Sequence, residues 1–121
     1  MKRNQRPLVY SCSGCSDVAQ LANEVAVRLD HAGTAQMSCI AGVGGGVEAL
    51  IKIARSGRPV IGIDGCPLHC VQSCLERIDQ PLTEHVKLYD MGYRKHHGRR
   101  YREEDIQAVT ADVGQLIARL S

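Results

Sequence analysis

Apolar residues along the chain fall into two kinds of pattern, short continuous runs and stripes at helical spacing. Leu8-Val9-Tyr10-Ser11 and Pro59-Val60-Ile61-Gly62-Ile63 are runs too short for helices and rich in β-branched or aromatic residues, so they read as buried strands. Val18, Leu21, Ala22, Val25 and Leu29 instead recur at three- and four-residue intervals, the stripe of a helix. Ser16 or Asp17 caps that helix, and Gly33 stops it. A weaker strand is expected over Ala35 to Ile40, followed by a glycine turn, Gly42 to Gly46. Val47, Leu50, Ile51 and Ala54 then mark a short helix ending near Gly57. After the Pro59 run, Pro67 suits a first helical position, and Val71, Cys74, Leu75 and Ile78 form the next stripe. Pro81 separates it from a fourth strand, Val86-Lys87-Leu88-Tyr89. The last helix is expected from about Glu103 to Leu120, burying Ile106, Val109, Val113, Leu116, Ile117 and Leu120.

Strand and helix thus alternate four times. That pattern predicts an α/β fold: a small, doubly wound, four-stranded parallel sheet with helices on both faces. The default strand order for such a sheet is the flavodoxin-like 2-1-3-4. With 121 residues and no internal repeat or long linker, residues 1–121 are expected to form one domain.

Composition changes the picture at the cysteines. There are six, and no Phe or Trp. The apolar stretch after Lys2, Arg3 and Arg6 is too short for a secretory signal, and nothing approaches a membrane span. A cytoplasmic location without membrane association is therefore expected, with thiols kept reduced for metal binding or redox chemistry. In a parallel sheet the ligand site lies beyond the carboxyl ends of the strands, where the strand order reverses. Cys12 and Cys15 follow the first strand, Cys39 ends the second, and Cys66 and Cys70 follow the third. In the order 2-1-3-4 the two pairs face each other across the reversal. Two thiolate pairs suit a tetrahedral Zn²⁺ site, with Zn–S distances of about 2.3 Å; they also suit an iron–sulfur cluster or Cu(I). A third alternative is a thiol–disulfide oxidoreductase working through Cys12-Ser13-Gly14-Cys15. Cys39 is either a ligand or a buried strand-end thiol. Cys74 lies in an apolar stripe and reads as core, with cluster ligation the alternative. His69 could replace a Cys as ligand but reads better as a surface residue. Asp64 reads as a cap for the turn or helix after it, its alternative being an acceptor behind a metal ligand or a base for a metal-bound water.

Charge adds one further feature. The net charge is +2, yet five of the fifteen Lys and Arg lie between Arg94 and Arg102, a stretch with no acidic residue. Emerging after the fourth strand, this segment belongs on the thiol side of the sheet. It is either a solvated loop or an electropositive site for an anionic ligand or a protein partner at Arg94, Lys95, Arg99 and Arg100. No spaced aromatic platform accompanies it, which argues against nucleic acid. Gly42-x-Gly44 begins like a dinucleotide fingerprint but has Val47 at the third glycine position, so a turn beside the thiols is the better reading.

Tyr10-Ser11-Cys12-Ser13-Gly14-Cys15, Ser38-Cys39-Ile40-Ala41-Gly42 and Ile63-Asp64-Gly65-Cys66-Pro67 together resemble the DGC-domain family of small zinc-binding proteins, named for the motif matched by Asp64-Gly65-Cys66. The resemblance runs over nearly the whole chain. It implies four metal-chelating cysteines and no established reaction. The chelating role carries over to Cys12, Cys15 and Cys66 first, and to Cys70 as the fourth.

Overall fold

A computed structural model describes residues 5–120. Its strands are β1 (Leu8–Ser11), β2 (Gln36–Met37), β3 (Val60–Asp64) and β4 (Glu84–Lys87). They form one parallel sheet in the order β2-β1-β3-β4. The expected order is therefore the observed one, with its reversal between β1 and β3. Ser11 pairs with Ile63 there, so both strands end at the same level.

Side chains alternate across the two central strands and divide the core in two. Val9, Ile61 and Ile63 face α1 (Asp17–His31) and α5 (Glu103–Ala118), packing on Val25, Leu29, Val109, Val113 and Ile117. Leu8, Tyr10 and Val60 face the opposite way, onto Val43, Val71 and Leu75 of α2 (Ile40–Gly44) and α4 (Cys70–Glu76). α3 (Glu48–Ala54) adds Ala54 and Ile53 to that second cluster. Each fully buried aliphatic side chain contributes about 1.5–3 kcal/mol, so a charge at Val113 or Val71 would be strongly destabilising. Across the helices, Arg28 meets Glu103 through two hydrogen bonds at 2.5 and 2.8 Å and bonds Glu24 at 3.1 Å. The exposed setting makes this a modest tie between α1 and α5.

Five local expectations differ from the structure. The second strand pairs only at Gln36 and Met37, because the chain leaves the sheet after Ser38 and enters α2 at Ile40. The glycine stretch is helical through Gly44, and the turn comes at Gly46, with φ +80°. A side chain at Gly44 would strike Cys74 Sγ at 2.9 Å, so the glycine allows α2 to lie close against α4. The fourth helix begins at Cys70, since Pro67 and Leu68 belong to a turn closed by His69 N–H donating to the Cys66 carbonyl at 3.3 Å. β4 starts two residues earlier than expected, and Leu88–Met91 continues it as a 3₁₀ turn. On α5, Val109, Val113 and Ile117 are buried as expected, whereas Leu116 is half-buried and Leu120 exposed.

Candidate functional site

Two loops build the site at the carboxyl ends of β1 and β3. In the first, Cys12 N–H continues the strand pairing by donating to the Ile63 carbonyl at 3.1 Å. Gln20 Nε2 donates to the Gly14 carbonyl at 2.5 Å and draws the loop towards α1. Ser16 caps that helix by accepting from Ala19 N–H at 3.3 Å. The second loop leaves β3 through Gly65. A Cβ there would stand 2.9 Å from the Val18 carbonyl oxygen, so only glycine lets this loop lie against the first turn of α1. The approach also puts Gly65 N–H 3.3 Å from Cys12 Sγ, to which it donates.

The four thiols of Cys12, Cys15, Cys66 and Cys70 line one hollow of about 220 Å³. Leu68 forms part of its wall, and Lys95 and His97 reach it from the basic segment. Cys12 and Cys66 are half-buried, while Cys15 and Cys70 are exposed. Burial pushes the Cys12 thiol up to about 11; the Gly65 N–H acts the other way, and nearby Asp64, Cys66 and Cys70 add to the rise. Among the described residues, no group of three or more His, Cys, Asp or Glu side chains stands in position to hold a metal ion. The thiols surround the hollow without closing on a common point. Cys39 does not line it: it lies exposed at the start of α2. Cys74 packs at the edge of the α4-side core, where burial first, and then Cys70 and Asp64, raise its thiol.

Asp64 does not face the thiols. Its side chain is buried, and its oxygens accept from Val71 N–H at 2.9 Å and Gln72 N–H at 3.3 Å at the start of α4. The Gln72 partner, Oδ2, also meets His85 Nε2 at 2.7 Å. The expected cap is therefore present, joined by a histidine from β4 that the sequence did not single out. His69 is also more constrained than a surface histidine. Its backbone is left-handed, at φ 53° and ψ 50°, and its ring contacts Tyr89 Oη at 2.6 Å and Gln72 Oε1 at 3.1 Å. The turn carrying Cys66 and Cys70 is thus anchored at both ends. Neither His85 nor Tyr89 lies in a motif, and their partners are far away in sequence.

The basic segment is anchored by Asp17. Its carboxylate accepts from Val18 N–H at 2.8 Å and His96 N–H at 2.6 Å, and meets His96 Nδ1 at 3.0 Å. Burial alone pushes this carboxyl up, but the bonds from His96 and Val18 outweigh it and hold it below the ordinary aspartate value. Beyond His96 the segment is exposed at Arg99 and Arg100. With Cys15, Gln20 and Gly98 these two line a second hollow of about 390 Å³. Arg94 is exposed, and its carbonyl accepts from Tyr101 Oη at 2.6 Å.

A family model described as the DGC domain matches residues 8–113. The chain is also similar to the anaerobic and virulence modulator AnvM of Pseudomonas aeruginosa. The two are 51% identical over 111 residues, which cover 92% of this chain and 85% of that protein. No solved structure matches. Among the described residues, no helix is long and apolar enough to cross a membrane.

Proposed function

This chain belongs to the DGC-domain family, and on that premise we propose that it binds one Zn²⁺ through Cys12, Cys15, Cys66 and Cys70. The observation that carries the reading is the meeting of two thiol pairs, from two loops, around a single hollow. The donor set fits the ion in kind, since four sulfurs are the ligand set of many structural zinc sites. Bound there, zinc would keep its ligands as thiolates and link the two loops. Cys12 and Cys66 are half-buried and Cys15 and Cys70 exposed, and the four side chains must draw together to complete the set. Lys95 at the rim offsets the negative charge that four thiolates leave around a divalent ion. Asp64, His85 and His69 hold the second loop in place.

A site filled by four thiolates has no open position for a substrate, which favours a structural or metal-carrying role. The Pseudomonas relative is named a modulator, and a modulating role is compatible with that reading. Reduced thiols require a reducing compartment, so the reading includes the cytoplasm. A redox pair of Cys12 and Cys15 draws less support, because burial raises the half-buried Cys12 thiol and so disfavours the thiolate that rapid exchange needs. Elemental analysis of protein purified anaerobically with reductant should find about one zinc per chain. Iron with stoichiometric inorganic sulfide, or no metal, would overturn the proposal.

A further inference from the structure

Cys15 stands between two hollows. One is the thiol hollow; the other is lined by Cys15 together with Gln20, Gly98, Arg99 and Arg100. The second hollow is larger, about 390 Å³, and among the described residues its charged walls are the two guanidinium groups. Arg100 makes no hydrogen bond or ion pair among the described residues. Among the described residues Arg99 approaches one carboxylate, that of Asp17, at 3.9 Å, and that carboxylate already accepts hydrogen bonds from Val18 and His96. The segment is held against α1 by Asp17 and His96, so these charges stay beside Cys15. An accessible thiol thus sits beside a cationic depression large enough for a small peptide-like molecule.

We propose that this depression binds the carboxylates of a small anionic disulfide and presents its sulfur–sulfur bond to Cys15. Guanidinium groups match carboxylates in charge and in paired hydrogen-bond geometry. The thiolate of Cys15 attacks the nearer sulfur, so a Cys15 Sγ–S bond forms as the reagent's S–S bond breaks. The Cys15 sulfur is oxidised and the departing sulfur reduced to the same extent. The proton lost by Cys15 ends on the departing thiol. The product is a mixed disulfide at Cys15, reversed by the same anionic thiol in excess. The inference goes beyond the zinc reading and concerns the metal-free chain, because a zinc ion held by Cys15 would withhold its sulfur from the reagent. Cys12 is a poor competitor because it is half-buried. Cys39 is the internal comparison, an exposed thiol that lies outside this depression.

The test uses reduced full-length protein in buffer with a chelator, which removes metal occupancy from the result. Glutathione disulfide and the neutral bis(2-hydroxyethyl) disulfide are reacted in parallel, and adducts are located by peptide mass spectrometry. With glutathione disulfide, Cys15 should be modified first. Arg99→Ser with Arg100→Ser should slow that reaction about tenfold and leave the neutral reagent's rate at Cys15 within about twofold. Raising the ionic strength to about 0.5 M should shrink the advantage of the anionic reagent. Both arginines are exposed, so the double variant should melt within about 3 °C of the parent chain. Equal slowing of both reagents, or glutathione reaching Cys39 or Cys70 before Cys15, would overturn the proposal.

Discussion

Replacing Asp64 with Ala should unfold the chain far more readily than it changes any chemistry. In the structure, the carboxylate accepts three hydrogen bonds while the residue is only 1% exposed. Removing it deprives two N–H groups in the first turn of α4 of their acceptor, a loss of about 1 kcal/mol by analogy with helix caps. It also strands the His85 ring, whose side chain is 13% exposed; an unpaired buried polar group costs about 1–3 kcal/mol. The sum is on the order of 3 kcal/mol. Asp64→Asn keeps one acceptor oxygen and should lose about half as much. Urea unfolding followed by circular dichroism measures this directly. With a slope near 1.5 kcal/mol per molar, Asp64→Ala should lower the midpoint by about 2 M. Because the two side chains touch, Asp64→Ala and His85→Ala together should destabilise less than the sum of the single changes, by about 1 kcal/mol or more. If Asp64→Ala unfolds within about 0.5 kcal/mol of the parent chain, the carboxylate does not cap α4. Additive single changes would mean that the His85 contact contributes nothing.

Cys70→Ala should lose zinc affinity in competition with a chromogenic chelator, whereas Cys74→Ala should keep it and be destabilised by about 1 kcal/mol. The reverse result would make Cys74 the fourth ligand, and retention by both would point to Cys39. Gly65→Ala should destabilise by about 1–3 kcal/mol in a thermal melt, because its Cβ would meet Val18 backbone rather than a movable side-chain end; an unchanged melt would mean that the loop can move off α1 freely. Asp17 has its folded value held below the ordinary 3.8. Its contribution is therefore complete above about pH 4 and lost as the pH falls through the folded value. Asp17→Asn should be less stable than the parent chain at neutral pH and flatter in acid unfolding, and parallel acid curves would refute the sign.

The layout of the site was legible in the sequence because it rests on strand topology. Continuous apolar runs identified β1 and β3, and the 2-1-3-4 order put their carboxyl ends side by side. That alone brought Cys12 and Cys15 to Cys66 and Cys70. The start of α4 was not legible. Pro67 is as suitable for a turn as for a first helical position, and nothing local shows that His69 takes a left-handed backbone. The partners of the two buried carboxylates were also hidden. Asp64 meets His85 21 residues away, and Asp17 meets His96 79 residues away. Periodicity reports which face a residue occupies, not which distant polar group shares that face. Cys74 packs against the α4-side core as its stripe implies, because its neighbours Val71, Leu75 and Ile78 follow the helical period.

The split origin of the thiols also has a consequence in time. Gly65 and Cys12 are 53 residues apart in the chain, and the loops carrying them meet only when β3 pairs with β1. Closing so long a loop precedes the contacts that stabilise it, which makes this pairing a slow event compared with forming α1 or α4. A chain still emerging from the ribosome has Cys12 and Cys15 available well before Cys66 and Cys70 exist. Any metal or oxidant that reaches it then meets thiols two at a time. The four-sulfur arrangement is a property of the finished sheet, and its assembly therefore reports that the two central strands have found each other.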